Sequence, residues 1–410
     1  MDHTPKGNRL HIALFGRRNA GKSSLINALT NQDIALVSNT PGTTTDPVYK
    51  AMEILPVGPV VLIDTPGLDD SGNLGELRVK RSMDVFNKAD LALLVVDAQN
   101  GFTEYELKIT QHCQNKKIPT IVVFNKIDIQ GVAEQDIEQA KAAFSREPVL
   151  VSALTGQGIS ELKAAIVKTA PANWDDRVIV GDLLNPGDTV VLVTPIDTAA
   201  PKGRLILPQV QTIRDILDHQ AMAYVVKESE LRECLGNLNK KPKLVITDSQ
   251  AFKEVARDTP EDIQLTSFSI LFARYKGDLE TLVAGAKAIG NLQPGDKVLI
   301  SEACTHHRME DDIGTKKIPG WLQKIVGGDL EFHWSSGHSF PEDLTEYKLV
   351  VHCGACMING RQMLSRMMQV QQSGVPMVNY GVCIAYIMGI LHRALSPFPT
   401  IQAMLADQNS

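Results

Sequence analysis

Short apolar runs alternate along the chain with longer segments that have the polar and apolar pattern of helices. Near the N-terminus, Leu91–Asp97 and Pro119–Phe124 are almost wholly apolar, and Thr103–Asn115 between them has the helical pattern. Apolar runs of this kind are typical of strands buried on both faces, and their alternation with helices predicts a parallel sheet. Val48–Leu55 and Pro59–Ile63 predict a hairpin in the same sheet.

The alternation is interrupted once by a linker-like segment at residues 170–176 and then resumes. We therefore predict an α/β protein with a mostly parallel N-terminal sheet at residues 1–172, followed by two smaller α/β domains at residues 177–268 and 269–410. The sequence of the middle domain contains no set of residues that is typical of a catalytic site. A domain of this kind more often packs, spaces or dimerises than catalyses.

Composition narrows the class of protein. A chain of 410 residues is too long for one ordinary core, and its 43% hydrophobic and 21% charged residues are typical of globular proteins. The net charge of −6 argues against a nucleic-acid partner. The first five residues have no signal-peptide core, and Val375–Leu391 is interrupted by Asn379 and Tyr380, which argues against a membrane span. Six scattered cysteines are typical of a protein from the reducing cytoplasm, so we expect a cytoplasmic protein in which cysteines bind a metal or cluster rather than form disulfides.

The first predicted strand, Arg9–Phe15, runs into a segment that matches G-x-x-x-x-G-K-S in its required place, after a strand and before a helix. The backbone N–H groups of such a loop surround phosphates, and the following helix N-terminus adds positive potential. We expect Lys22 to reach the β- and γ-phosphates and Ser23 to bind Mg²⁺. The predicted phosphate-binding residues are Gly16, Asn19, Ala20, Gly21, Lys22, Ser23 and Ser24.

A second motif, Asp-Thr-Pro-Gly, begins at Asp64 directly after the hairpin. We expect Asp64 to hold Mg²⁺ through water and the Gly67 amide to sense the γ-phosphate. Residues 38–47 between the two motifs are polar and loop-like, as in the first switch segment of P-loop GTPases. The motif alone is weak evidence, but it is strong evidence at this distance after a P-loop.

A third motif, Asn125-Lys126-Ile127-Asp128, follows the strand Pro119–Phe124 and predicts guanine recognition. The Asp128 carboxylate can accept hydrogen bonds from the N1–H and the 2-amino group of guanine. Adenine lacks both donors and would leave the carboxylate unpaired. Ser152 and Ala153 follow the next strand, where their backbone can meet guanine O6.

With all of these motifs present in order, the N-terminal domain resembles the Era- and TrmE-type GTPases. Leu68 stands where Ras-like proteins carry a water-orienting glutamine. Asn19 and the Gly-Thr-Thr segment that includes Thr43 resemble GTPases that use K⁺ as an additional counter-charge. The resemblance further implies that Thr44 binds Mg²⁺ and that Glu76 positions the attacking water. Glu76 is also a plausible residue for the first turn of a helix.

Cysteine and histidine residues follow two strand-like runs near the C-terminus. Lys297–Ala303 is followed by Cys304 and His306, and a second apolar run is followed by His352-Cys353-Gly354-Ala355-Cys356. In an open α/β sheet, ligands bind at the carboxyl ends of the strands. Thiolates and imidazoles at such spacing bind zinc or an iron–sulfur cluster, so the residues alone predict a metal site of either kind.

Taken over its whole length, the chain resembles the maturation GTPases of [FeFe]-hydrogenases, which combine the GTPase motifs with Cys-x-His and His-Cys-x-x-Cys. This resemblance implies a slow GTPase with a dimerisation domain and a [4Fe–4S] domain, in which Cys304, Cys353 and Cys356 hold the cluster. It also implies a scaffold that receives a di-iron precursor from two radical-SAM maturases and delivers it to apo-[FeFe]-hydrogenase. GTP, Mg²⁺, K⁺ and the cluster are the cofactors that it implies.

The ligand of the fourth iron is left open, because three cysteines do not complete the site. The alternatives are His306, His352, a carboxylate such as Glu310, or water. Two other functions also remain open. One is a ribosome- or tRNA-directed GTPase with a structural zinc site. The excess of acidic over basic residues disfavours this function, because proteins that bind nucleic acids are usually basic. The other is a redox-sensing GTPase in which the cluster controls hydrolysis.

Overall fold

The structure is a computed structural model, and it describes residues 4–30, 47–66, 82–171, 177–195, 205–303, 312–337 and 339–407. The chain divides into two compact units, Met1–Asp176 and Arg177–Ser410. Within the described residues, no helix is both long enough and apolar enough to cross a bilayer.

The N-terminal unit contains a six-stranded sheet with strand order β2-β3-β1-β4-β5-β6. All neighbouring strands are parallel except β2 and β3, which form the predicted antiparallel hairpin. The elements are β1 (Leu10–Phe15), α1 (Lys22–Thr30), β2 (Val48–Ile54), β3 (Gly58–Asp64), β4 (Leu91–Asp97), α2 (Glu104–Asn115), β5 (Thr120–Asn125), α3 (Glu134–Phe144), β6 (Val149–Leu150) and α4 (Ile159–Thr169).

The central strand β1 separates two apolar cores. Its residues Leu10, Ile12 and Leu14 face one core, whereas Ala13 and Phe15 face the other. Side chains of a strand alternate between the two faces of a sheet, so an entirely apolar strand is expected where both faces are covered. This burial fixes the carboxyl end of β1, where the glycine-rich loop begins.

The C-terminal unit contains two four-stranded sheets, ordered β10-β9-β7-β8 and β12-β11-β13-β14, and every strand pair in them is parallel. The elements are β7 (Thr189–Val193), α5 (Leu207–Asp218), β8 (Met222–Val226), α6 (Leu231–Asn237), β9 (Leu244–Thr247), α7 (Phe252–Asp258), β10 (Gln264–Ser267), α8 (Phe268–Lys276), α9 (Leu279–Gly285), β11 (Lys297–Glu302), α10 (Ile318–Val326), β12 (Glu331–Ser336), β13 (Leu349–His352), α11 (Gly360–Gln372), β14 (Met377–Asn379), α12 (Tyr380–Ile387), α13 (Leu391–Ala394) and α14 (Pro399–Asp407).

Helix α8 connects the two sheets of this unit through a shared core. It begins directly after β10, where the Ser267 side chain accepts the Ile270 N–H and caps the helix. It packs against α5 beside the first sheet and against α11 and α12 beside the second. One continuous apolar cluster therefore contains residues from both sheets, such as Val190 and Val350.

The predicted fold class is confirmed: an N-terminal P-loop domain with a mostly parallel sheet is followed by further α/β structure. Five helices of the described part of the chain were not predicted, namely α3, α8, α10, α13 and α14. The division of residues 177–410 at residue 268 stays a prediction, as does the end of the first domain at residue 172.

Candidate nucleotide-binding and cysteine sites

The P-loop between β1 and α1 requires glycine at two positions. Gly16 has φ +152° and Gly21 has φ +89°. A Cβ on Gly16 would lie 2.2 Å from the Val95 carbonyl oxygen, and one on Gly21 would lie 2.2 Å from Asn125 Nδ2. Both contacts are far too short for a side chain, so the motif glycines allow the loop to lie against β4 and β5.

Lys22 and Ser23 lie at the start of α1 with their polar atoms directed toward the loop and β3. Lys22 Nζ is buried and donates to the carbonyl oxygens of Gly16 and Arg17, at 2.8 Å each. Ser23 Oγ donates to Asp64 Oδ2 at 2.6 Å. Burial raises the pKa of Asp64, against the opposing effects of Ser23 and Lys22. A hydroxyl and a carboxylate in contact are oxygen ligands of the kind that Mg²⁺ prefers, so these residues fit the ion.

Asn125 connects three segments of the predicted nucleotide site. Its Nδ2 donates to the Ala20 carbonyl oxygen at 3.0 Å, and its Oδ1 accepts the Ala153 N–H at 3.0 Å. The side chain is buried and therefore holds the P-loop, the end of β5 and the loop after β6 together. Lys126 has φ +67°, and its Nζ lies 2.6 Å from Asp97 Oδ2.

The remaining predicted nucleotide-site residues divide into described and undescribed ones. Asn19 is exposed and has φ +62°, a left-handed conformation that asparagine tolerates well. Asp128 is exposed, and Ser152 is buried with its Oγ accepting the Thr155 N–H. Ser24 is half-buried in the first turn of α1. The residues that lie outside the described part of the chain are Thr43, Thr44, Gly67, Leu68 and Glu76.

Arg17, which no sequence motif singled out, connects the P-loop to the start of α2. Its Nε donates to the buried carboxylate of Glu106 at 3.2 Å, and its guanidinium lies 5.2 Å from the centre of the Tyr105 ring. It also contacts Thr103, the N-cap residue of α2. Glu106 and Thr103 form a capping box, so this helix start is firmly structured.

The second candidate site lies at the carboxyl ends of β11 and β13 in the C-terminal unit. These strands are adjacent and parallel, with Ser301 opposite His352. Cys353 therefore follows β13 beside the point where β11 leads toward Cys304. Cys304, His306 and Glu310 lie outside the described residues. Among the residues described, no group of three or more Cys, His, Asp or Glu side chains is placed to hold a metal ion.

Cys353 and Cys356 are both half-buried on one turn. The Ala303 N–H donates to Cys353 Sγ at 3.1 Å, and the Cys353 N–H donates to the Ser301 carbonyl oxygen at 2.9 Å. Ala355 has φ +55°. Burial raises the pKa of the Cys353 thiol, whereas the N–H groups of Ala303 and Ala355 favour the thiolate. Two thiols on one turn, one of them already accepting N–H donors, fit a cluster or a zinc ion.

His352 is fully buried, and both of its ring nitrogens are hydrogen-bonded. Nδ1 lies 2.8 Å from the Cys353 carbonyl oxygen, which can only accept, so Nδ1 carries the proton. Nε2 then accepts from Arg366 Nη1 at 3.0 Å. Burial and the Arg366 charge lower the pKa of His352 to about 3. Neither nitrogen is therefore available to iron in this arrangement, and His352 as a ligand stays a prediction that requires rearrangement.

The fold and the loop geometry define the class of the N-terminal unit: it is a P-loop GTPase domain, which binds GTP with Mg²⁺ and hydrolyses it. Family models support this class. Residues 11–126 match the 50S ribosome-binding GTPase family, residues 179–277 match the hydrogen maturase F dimerization domain, and residues 280–397 match the hydrogen maturase F tetramerization domain. The chain belongs to the hydrogen maturase F family.

Curated relatives match the GTPase part of the chain. The tRNA modification GTPase MnmE of Nitrosomonas europaea is 36% identical over 170 residues, which is 41% of this chain and 36% of that protein. MnmE of Aquifex aeolicus is 39% identical over 168 residues, again 41% of this chain and 36% of that protein. GTPase Der of Mycoplasmopsis pulmonis is 33% identical, with coverages of 47% and 46%. The chain thus spans little more than a third of the two MnmE proteins.

Two solved structures are similar as well. Aquifex aeolicus Era bound to GDP and AlF4⁻ is 23% identical with a TM-score of 0.37, and the match covers 53% of this chain and 93% of that one. The FeoB G-domain from Methanococcus jannaschii is 25% identical with a TM-score of 0.31, covering 40% and 98%.

Proposed function

We propose that this protein is a GTP-hydrolysing scaffold that holds a [4Fe–4S] cluster and delivers a di-iron precursor to apo-[FeFe]-hydrogenase. The observation that carries the proposal is the combination of two hydrogen maturase F domains with a Cys-x-x-Cys turn whose first thiol already accepts a backbone N–H. The partners would be the apo-hydrogenase and two radical-SAM maturases that supply the precursor.

The cluster ligands in this proposal are Cys304, Cys353 and Cys356. When bound, the cluster supplies an iron with a coordination position that an incoming ligand can occupy. Cys353 contributes a thiolate that the Ala303 N–H stabilises, as hydrogen bonds to the sulfurs of iron–sulfur sites do. Because His352 uses both ring nitrogens, we favour His306, a carboxylate such as Glu310, or water for the fourth position.

The GTPase part of the proposal assigns a role to each motif. Lys22 would act on the β- and γ-phosphates, while Ser23 and Asp64 would bind Mg²⁺ together with Thr44. Asn125 would hold the guanine pocket in shape and Asp128 would read the base. The remaining assignments rest on family resemblance: Asn19 and Thr43 for K⁺, Gly67 for the γ-phosphate and Glu76 for the attacking water.

The homodimer would form through the sheet that contains β8. This strand is at the edge of its sheet, so among the described residues one side of its backbone has no partner strand. Met222, Tyr224 and Val225 on β8 are 49%, 43% and 44% exposed. An apolar edge strand is a ready site for pairing with another chain, and residues 179–277 match a dimerization domain. We therefore propose that the edge of β8 pairs with a second copy of this chain.

Anaerobic purification followed by iron, sulfide and zinc analysis and by EPR tests the proposal. We expect about four irons and four sulfides for each wild-type chain. Cys353→Ala should lose most of them. Cys234→Ala is the matched control, because this half-buried cysteine lies on α6 beside the other sheet and should leave the iron content unchanged. Stoichiometric zinc without sulfide would instead support the structural zinc alternative.

A further inference from the structure

Arg366 is a buried cation beside the proposed cluster site. It lies on the inner face of α11 and is only 4% exposed. Its Nη1 donates to His352 Nε2 at 3.0 Å, and its Nη2 donates to the Gly337 carbonyl oxygen at 2.6 Å. The guanidinium lies 5.0 Å from the centre of the Phe340 ring. Among the described residues, its partners are thus uncharged.

A guanidinium buried against uncharged partners is costly, because the charge loses its hydration without gaining an opposite charge. Such a residue persists where an anion compensates for it. Arg366 donates to His352, the residue directly before Cys353, and His352 in turn donates to the Cys353 carbonyl oxygen. The positive charge of Arg366 therefore lies beside the cysteine turn at the end of β13, where a cluster held by thiolates would be the compensating anion.

The hydrogen bonds also connect Arg366 to the geometry of this turn. Arg366 fixes the His352 tautomer, and the Nδ1–H of His352 holds the Cys353 carbonyl oxygen at 2.8 Å. The planar fork of arginine donates to two acceptors at once, which a lysine ammonium cannot do with the same geometry. A lysine at position 366 would therefore keep the positive charge but not the hydrogen-bond geometry of Arg366.

We propose that Arg366 is a positioning residue of the cysteine site, whose fixed positive charge stabilises an anionic iron–sulfur group and raises its reduction potential. The inference rests on the proposed function, because it requires a cluster on Cys353. Three thiolates give a bound cluster a net negative charge, and reduction by one electron makes it more negative. A fixed cation stabilises the reduced state more than the oxidised state, so removing the cation should lower the potential.

The test compares Arg366→Gln, Arg366→Lys and the wild type in the full-length protein, after anaerobic reconstitution with iron and sulfide. Gln keeps an amide donor and loses the charge, whereas Lys keeps the charge. Arg393→Gln is the matched control: Arg393 is a largely buried arginine of the same unit that donates to the carbonyl oxygens of Thr259 and Pro260. Iron content, thermal unfolding and an EPR-monitored redox titration are measured for each protein.

In Arg366→Gln, we expect the equilibrium between the oxidised and the reduced cluster to shift at least tenfold toward the oxidised form. For a one-electron couple, a tenfold shift lowers the reduction potential by about 59 mV. Arg366→Lys should keep most of the wild-type potential, and Arg393→Gln should keep all of it. If Arg366→Gln retains no cluster, a Lys variant that retains cluster and potential supports the role of the charge. A Lys variant that fails as completely as Gln overturns that role.

The failure of this inference can be told apart from failure of the proposed function. A wild-type protein that binds no iron under these conditions overturns both. A wild-type protein with a full cluster, together with an unchanged potential in Arg366→Gln, overturns only the role of Arg366. A merely structural role would lower the iron content or the unfolding temperature and leave the potential of the remaining cluster unchanged.

Discussion

Replacement of Asn125 by alanine is the most direct test of the nucleotide site. The substitution removes the acceptor of the Ala153 N–H and the donor to the Ala20 carbonyl oxygen, both at 3.0 Å. The side chain is 1% exposed, so water cannot readily take its place. We expect the P-loop and the loop after β6 to lose their common anchor while the sheet itself persists.

The magnitude follows from the two groups left without partners. Each unsatisfied buried group costs about 1–3 kcal/mol, and with partial relaxation the pair should cost about 2–4 kcal/mol. If this cost falls wholly on nucleotide binding, GTP affinity drops by roughly 30- to 700-fold, at about 1.4 kcal/mol for each tenfold. Part of this cost can instead appear as a lower free energy of unfolding of the nucleotide-free protein. That part does not weaken GTP binding, so the loss of binding free energy is smaller by the same number of kcal/mol.

The assay is a fluorescence titration of the full-length protein with a labelled guanine nucleotide, combined with thermal unfolding. Asn87→Ala is the matched control, because the Asn87 side chain accepts an exposed hydrogen bond from Lys116 Nζ at 2.7 Å in the same unit. We expect its affinity to remain within about twofold of the wild type. Wild-type affinity and wild-type unfolding in Asn125→Ala would refute the anchoring role.

Four further outcomes are expected. Asp128→Asn should move the preference from guanosine to xanthosine nucleotides, measured by competition; equal competition by ATP and GTP in the wild type would contradict the assignment. Hydrolysis should be faster in KCl than in NaCl at matched ionic strength, and Asn19→Ala should remove the difference. Lys22→Ala should abolish GTP turnover and leave the iron content unchanged. Tyr224→Glu should shift the protein toward monomer in light scattering, and an unchanged mass would count against β8 as the dimer surface.

The elements that the sequence predicted well are those with one simple pattern. β4 was predicted with the observed bounds, because it is an apolar run between polar or turn-forming residues. α8 was missed because its first half, which includes Phe268, Leu271 and Phe272, is almost wholly apolar and buried, so it lacks the alternation of polar and apolar faces typical of a surface helix. α3 was missed for the opposite reason, since only Ala140 in it is buried.

The nucleotide site was predictable because its motifs are contiguous and each has a fixed chemical role. The surroundings of Cys353 were not. Arg366 follows Cys353 at a distance along the chain, on a helix, and arginine at such a position normally faces solvent. Its burial depends on where α11 packs against β13, which is decided by tertiary structure. The hydrogen-bonded state of His352 depends on the same packing.

The two candidate sites use the same physical elements in different ways. In both, a parallel strand ends, backbone N–H groups are available to an anion, and a buried cation lies nearby, which is Lys22 in one and Arg366 in the other. Lys22 is a flexible point charge that donates to loop carbonyls, so it can turn to a phosphate. Arg366 is held by His352 and Gly337 and acts on Cys353 through its field rather than by contact. Loss of Lys22 should therefore remove a ligand contact and abolish turnover, whereas loss of Arg366 should change the energy of an electron at a site that can still form.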